Sequence, residues 1–356
     1  MKATRRGTSR SPAVPADNAP TQFTVPLQAN APTAPARHEH AVRPEQPQGP
    51  QPQQHIFNVT DVTEFTRPNR VTASRPPGST DGPAATWSSQ GRVSAAPGPD
   101  VGPPVLGAFS VAGYPDVLAS AEALITFASS GAGLLEVGVP AVDPWLDGPV
   151  IGTAHEIALR SGDGVATAIA TVRLITAETA QPVYCMAYWR TVHSFGLWRF
   201  AHQLAAAGAT GCLVADVPAR SHAAWVSAAA SAGLAAPLLV NRDAQHEETA
   251  AMSRAATGFV YTPAAHGQPT GHTAGIELPA LRSFVGTVRH AAPTTPVLAG
   301  IGVATPALAS AVVAQCHVDG VVIGSPLVRA LSEGGLTRAA ELVGQFVGSI
   351  EAAQHR

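Results

Sequence analysis

The chain has 356 residues, and 22 Lys and Arg against 24 Asp and Glu leave a formal charge of −2. That balance excludes a protein that neutralises nucleic-acid phosphates across its whole surface. No apolar run reaches the roughly 18 residues of a membrane span, so a membrane protein of that kind is excluded too. Three cysteines, Cys185, Cys212 and Cys316, are too few and too odd for a disulfide framework. They fit a reduced, cytoplasmic setting.

Residues 1–104 hold 18 of the 32 prolines, with many Gln, Thr, Ser and Ala. Runs such as Pro47-Gln48-Gly49-Pro50-Gln51-Pro52 build neither a helix nor a central strand. They also lack the apolar mass that offsets the entropy of ordering. This segment reads as a disordered, low-complexity Pro/Gln-rich extension, with one apolar stretch from Ile56 to Phe65 as a candidate docking element. Arg5-Arg6 is not followed by the apolar segment of an export signal.

From Val105 to the end, short apolar runs alternate with Ala-rich amphipathic segments. Strands are predicted at 105–111, 134–139, 183–188, 211–215, 237–240, 258–262, 297–300 and 320–323. Helices are predicted at about 116–130, 150–160 with 164–177, 196–207, 219–232, 245–256, 277–290, 305–315 and 326–352. The strands are nearly continuous apolar runs, as in parallel strands covered on both faces. Eight βα units over residues 105–356 predict a (β/α)8 TIM barrel. The alternative is an open doubly wound sheet, but no GxGxxG follows the first strand.

In this fold chemistry sits at the C-terminal strand ends and in the loops after them. Glu136 lies within Leu134-Leu135-Glu136-Val137-Gly138-Val139-Pro140, with no fixed cationic partner near it in sequence. Buried, it is either paired structurally or a general acid/base with a raised pKa. The next loop adds Asp143 and Asp147; each also fits an ordinary turn, and one would suit a helix cap. Gly300-Ile301-Gly302 and Gly324-Ser325 follow strands 7 and 8, just before helices. Backbone amides at those positions suit a phosphorylated ligand. The loop Pro263–Ala274, with Gly267, Thr270 and Gly271, has the length and flexibility of a lid. His266 and His272 on it are poor metal ligands by spacing, and no metal site is predicted.

Together these segments resemble the tryptophan synthase alpha chain family. The strand 2 motif with Asp143-Pro144 and Asp147-Gly148-Pro149 carries most of the likeness. Ala108-Phe109 with Ala112-Gly113-Tyr114-Pro115, Ala187-Tyr188-Trp189, Asp216-Val217-Pro218, Gly258-Phe259-Val260-Tyr261, Thr270-Gly271 and the two glycine loops follow in the family's order. The resemblance implies cleavage of indole-3-glycerol phosphate to indole and glyceraldehyde 3-phosphate by a retro-aldol reaction. Glu136 would be the general acid/base and Asp147 would bind the indole N–H. Phe109, Tyr188 and Tyr261 would line the indole pocket. Thr270, Gly271, Gly300, Gly302, Gly324 and Ser325 would bind substrate, the glycines and Ser325 at its phosphate.

Pro140, Asp143 and Arg190 would lie toward a tryptophan synthase beta chain in an alpha2beta2 tetramer. Pyridoxal phosphate would belong to that beta chain, and this chain would need no cofactor. No nucleic-acid or membrane partner is implied. The sequence departs from the family in its lid, Ala264-Ala265-His266-Gly267-Gln268-Pro269-Thr270-Gly271, which lacks the usual Ser-Arg. It also departs at Arg190, where Asn is common, at Val142, usually Ser, and at Gly152, usually Gln. Two other readings remain open: a barrel that serves as a non-catalytic binding partner, and a phosphate-binding barrel with another substrate. Retention of both carboxylates favours the lyase, because a buried glutamate without a task destabilises its fold.

Overall fold

The computed structural model describes residues 103–272 and 275–354. The expectations for the extension and for Ile56–Phe65 therefore lie outside the described residues. Eight parallel strands form the expected barrel: β1 (Val105–Val111), β2 (Leu134–Gly138), β3 (Val183–Ala187), β4 (Gly211–Val214), β5 (Leu238–Leu239), β6 (Val260–Pro263), β7 (Val297–Gly300) and β8 (Gly320–Ile323). Their order is β4-β3-β2-β1-β8-β7-β6-β5. A parallel bridge from Gly211 to Ala235 closes the remaining seam between β4 and the approach to β5. There Cys212 N donates to Ala235 O at 2.9 Å, and Ala235 N to Thr210 O at 3.0 Å.

The helices are α1 (Val117–Ser129), α2 (Pro149–Leu159), α3 (Gly164–Glu178), α4 (Trp189–Phe195), α5 (Leu197–Ala206), α6 (His222–Ser231), α7 (His246–Ala255), α8 (Leu278–Ala291), α9 (Pro306–Cys316) and α10 (Ser325–Gln354). Asp116, Asp163 and Thr305 accept backbone N–H groups as side-chain caps. Three differences from the sequence pattern have local causes. Strand β5 shrinks to two residues, since Pro237 has no N–H to give a ladder. β6 begins after Gly258, whose φ of +85° is not a strand conformation. Trp189–Phe195 forms a helix that its aromatic and β-branched residues do not advertise. Gly196, at φ +94°, then separates α4 from α5.

Alternation along each strand builds two apolar layers. Phe109, Leu134, Tyr184, Leu213, Leu239, Tyr261, Leu298 and Val322 form the inner cluster. Ala108, Leu135, Val137, Cys185, Cys212 and Val321 point the other way and pack with helix residues such as Leu124, Phe127 and Trp225. Glu136 has the parity of Leu134, so its side chain enters the barrel. Its backbone pairs with Phe109 on β1 and Tyr184 on β3.

At the seam, a side chain on Gly211 would meet Ala235 O at 2.7 Å and the Tyr184 ring at 2.6 Å. Gly211→Ala is expected to destabilise the barrel by about 1–3 kcal/mol, the usual range for overpacking. A lowered denaturation midpoint checks this; an unchanged midpoint would mean that the seam yields freely.

Candidate active site

A cavity of about 500 Å³ opens at the C-terminal end of the barrel. Phe109, Glu136, Asp147 and Tyr261 line it together with Gly271, Gly302, Gly324 and Ser325. Parity and position put Glu136 there: it is the inward residue next to the end of β2. Glu136 is 4% exposed and has no hydrogen-bond or ion-pair partner among the described residues. Burial, and secondarily the charge of Asp147, push its carboxyl from the usual 4.5 up to about 8. Among the described residues Glu136 forms no structural ion pair.

Asp147 is the opposite case, a carboxylate rich in donors. Tyr188 Oη donates to its Oδ2 at 2.7 Å, and Thr270 Oγ1 to its Oδ1 at 3.2 Å. His155 Nε2 lies 3.4 Å from Oδ2, within ion-pair distance but outside hydrogen-bond geometry. Neither loop aspartate caps α2; its N-cap is Gly148, followed by Pro149. Burial, together with the charge and hydrogen bond of Asp147, holds the Tyr188 phenol far above its ordinary range. Tyr188 is therefore a donor, set behind Asp147 and not in the cavity wall where the sequence reading puts it.

The strand 6 loop docks over the strand 2 loop. Thr270 N donates to Leu146 O at 3.0 Å, and Thr270 Oγ1 accepts Gly148 N at 2.9 Å. Ala264 N and Ala265 N donate to Gly300 O and Ile301 O at 2.6 and 2.9 Å. Thr270, Gly271 and His272 thus reach the cavity, whereas His266 pairs with Asp243 at the surface. A Cβ on Gly271 would sit 3.1 Å from Ser325 Oγ, so lid and α10 N-terminus nearly touch. Gly302, at φ +107°, and Ile301, at φ +54°, turn the β7 loop toward the same point. Left-handed backbone at a branched residue is strained and marks a constrained loop.

Gly300 is not a wall residue. It leaves room for the Tyr261 hydroxyl, against which any side chain there would collide. Of the three residues expected near a partner, Asp143 and Arg190 are exposed. Pro140 is buried, with its carbonyl against Gly164 at the start of α3. Asp216 accepts Trp145 Nε1 at 3.0 Å and Trp189 N, which ties the strand 2, 3 and 4 loops together. The sequence reading missed His155. Its signal is a histidine in the Ile151, Ala154, Ala158 face of α2. Among the described residues no cluster of three or more acidic, His or Cys side chains could hold a metal ion. No helix among them is long and apolar enough to cross a membrane.

Burial of Glu136 makes stability depend on pH. Between about 4.5 and 8 the folded chain holds a proton that the unfolded chain has released. Stability therefore falls as pH rises through that window and levels off above it. Glu136→Gln removes this contribution, so the variant is expected to gain on the wild type from about pH 4.5 to 8. Denaturant midpoints of both chains across that range check it, and parallel curves would contradict it.

Comparison with known proteins agrees with this arrangement. The sequence model of the family described as "Tryptophan synthase alpha chain" matches residues 104–353. A tryptophan synthase alpha chain of Streptomyces coelicolor is 37% identical over 222 residues, covering 62% of this chain and 80% of that one. One from Mycobacterium tuberculosis is 38% identical over 238 residues, covering 67% and 86%. A solved structure of Mycobacterium tuberculosis tryptophan synthase superposes with a TM-score of 0.63 at 35% identity, covering 70% of this chain and 93% of that one. The match spans residues 104–353, with Glu136, Asp147 and the glycine loops inside it, and the chain belongs to the tryptophan synthase alpha chain family.

Proposed function

We propose that the chain is a carbon–carbon lyase that cleaves indole-3-glycerol phosphate to indole and glyceraldehyde 3-phosphate, in tryptophan biosynthesis or a divergent branch of indole metabolism. The observation that carries this reading is two buried carboxylates with opposite surroundings facing one cavity. Glu136 has no donors and a raised pKa; Asp147 has several donors. A carboxyl that burial holds protonated suits the acid, and a carboxylate surrounded by donors suits the anion.

In the reaction, protonated Glu136 gives its proton to indole C3. The ring becomes an indolenine, whose N–H⁺ the Asp147 carboxylate stabilises. Glu136, now ionised, takes the proton of the glycerol hydroxyl beside the bond to be broken. That carbon–carbon bond cleaves, its electron pair returns to the ring, and indole and the aldehyde leave. Phe109 and Tyr261 supply apolar walls for indole. Gly271, Gly302, Gly324 and Ser325, at the α10 N-terminus, suit the phosphate. Docking of Thr270 on Asp147 couples lid closure to the anion's position.

Barrel residues 105–356 would form the catalytic unit, and no step needs a cofactor on this chain. A tryptophan synthase beta chain, which would carry pyridoxal phosphate, would meet the exposed end bearing Asp143 and Arg190, near exposed Val142 and Trp145.

Indole release from indole-3-glycerol phosphate, with and without a tryptophan synthase beta chain, tests the reading. Release is expected, and its absence in both cases would overturn it in favour of a binding barrel or another substrate. Glu136→Gln is expected to lower turnover by about 10²-fold or more, as for loss of general acid/base catalysis. Asp147→Asn should be similarly severe. Near-normal turnover by either variant would refute its assigned role.

A further inference from the structure

We propose that His155 is a positioning residue, whose Nε2–H directs the Asp147 carboxylate while the Ala141 amide fixes the imidazole tautomer that makes this possible. The inference rests on the lyase reading for its consequence, but not for its geometry.

His155 is fully buried on α2, eight residues beyond Asp147 in sequence. Its Nδ1 accepts the Ala141 backbone N–H at 3.1 Å. An accepting Nδ1 carries no proton, so the ring hydrogen is on Nε2. Nε2 is buried and has no hydrogen-bond partner among the described residues. Its near neighbour is Asp147 Oδ2 at 3.4 Å, with side-chain exposures of 1% for His155 and 0% for Asp147. A buried N–H without a full partner is costly, and a carboxylate is the acceptor that relieves the cost. Contacts of this kind are often long until substrate tightens them.

The Tyr188 ring packs edge-on against the imidazole, with centroids 6.4 Å apart and an interplanar angle of 70°. The same tyrosine donates to Oδ2. His155 and Tyr188 therefore approach one carboxylate oxygen together, while Thr270 holds the other. Ala141 opens the strand 2 loop, whose next residues Val142 and Asp143 are exposed. The imidazole thus links the start of that loop to Asp147 by its two nitrogens.

Three substitutions separate the two nitrogens. His155→Gln keeps an N–H near the Nε2 position, His155→Asn keeps an acceptor near Nδ1, and His155→Phe keeps only the shape. The lever acts on an anion needed in the transition state, so kcat should fall with little change in KM. His155→Phe and His155→Asn are each expected to lose about tenfold in kcat, the scale of one hydrogen bond to a charged group. His155→Gln should recover most of that loss. A merely structural role would lower the melting temperature and would not separate Gln from Asn in kcat. Equal kcat losses in Gln and Asn, or full kcat in a folded His155→Phe, would overturn the proposal.

Crystal structures of the wild type and His155→Phe give a readout that needs no turnover. The Asp147 carboxylate should move away from the side chain at position 155 in the variant while keeping its Tyr188 and Thr270 hydrogen bonds, and an unmoved carboxylate would overturn the role. If the wild type releases no indole, the lyase reading fails by itself, and the Asp147 position alone then decides the proposal.

Discussion

A glutamate without a hydrogen-bond partner, buried in an apolar barrel beside a second carboxylate, is the constraint on which the rest of this structure turns. Removing a charge from water costs several kcal/mol unless something compensates it, and none of the described residues compensates Glu136. The group escapes the cost by keeping its proton, which burial and Asp147 together favour. A carboxylic acid that remains protonated near neutral pH can give a proton to a weakly basic carbon. One with an ordinary pKa would be almost wholly ionised there.

That arrangement works only if Asp147 remains an anion in a defined place. Much of the neighbouring structure serves this end. Tyr188 comes from the end of β3, Thr270 from the strand 6 loop and His155 from α2. Each approaches a carboxylate that sits on a loop, where position would otherwise be loosely set. The Trp145–Asp216–Trp189 contacts brace the same loop from outside. Gly302, Gly324 and the α10 N-terminus line the same cavity, and Gly324 lies directly beside the Phe109 ring.

Much of this was legible in the sequence, for identifiable reasons. Continuous apolar runs announced parallel strands, and a carboxylate inside one of them, at the end of strand 2, singled out Glu136. The Gly-Ile-Gly and Gly-Ser pairs marked the β7 and β8 loops because their dipeptides stand directly before helices. Partners of Asp147 were not legible as such, since Tyr188 and Thr270 lie 41 and 123 residues away in sequence. The resemblance put Tyr188 in the pocket wall, and its hydrogen bond to Asp147 was not legible because an aromatic at a strand end can serve as wall or donor. His155 was missed, because its meaning depends on Ala141 folding back onto it. Gly300 read as a ligand-side glycine, and the room that its smallness leaves for Tyr261 was not legible.

The most direct test is the titration of Glu136 itself. Carbon-13 NMR of a chain with labelled glutamate carboxyls follows its chemical shift against pH, with Glu136→Gln assigning the resonance. A midpoint near 8 in the wild type is predicted. A lower midpoint should follow in Asp147→Asn, where the neighbouring charge is gone. A midpoint near the ordinary 4.5, insensitive to Asp147, would contradict the account.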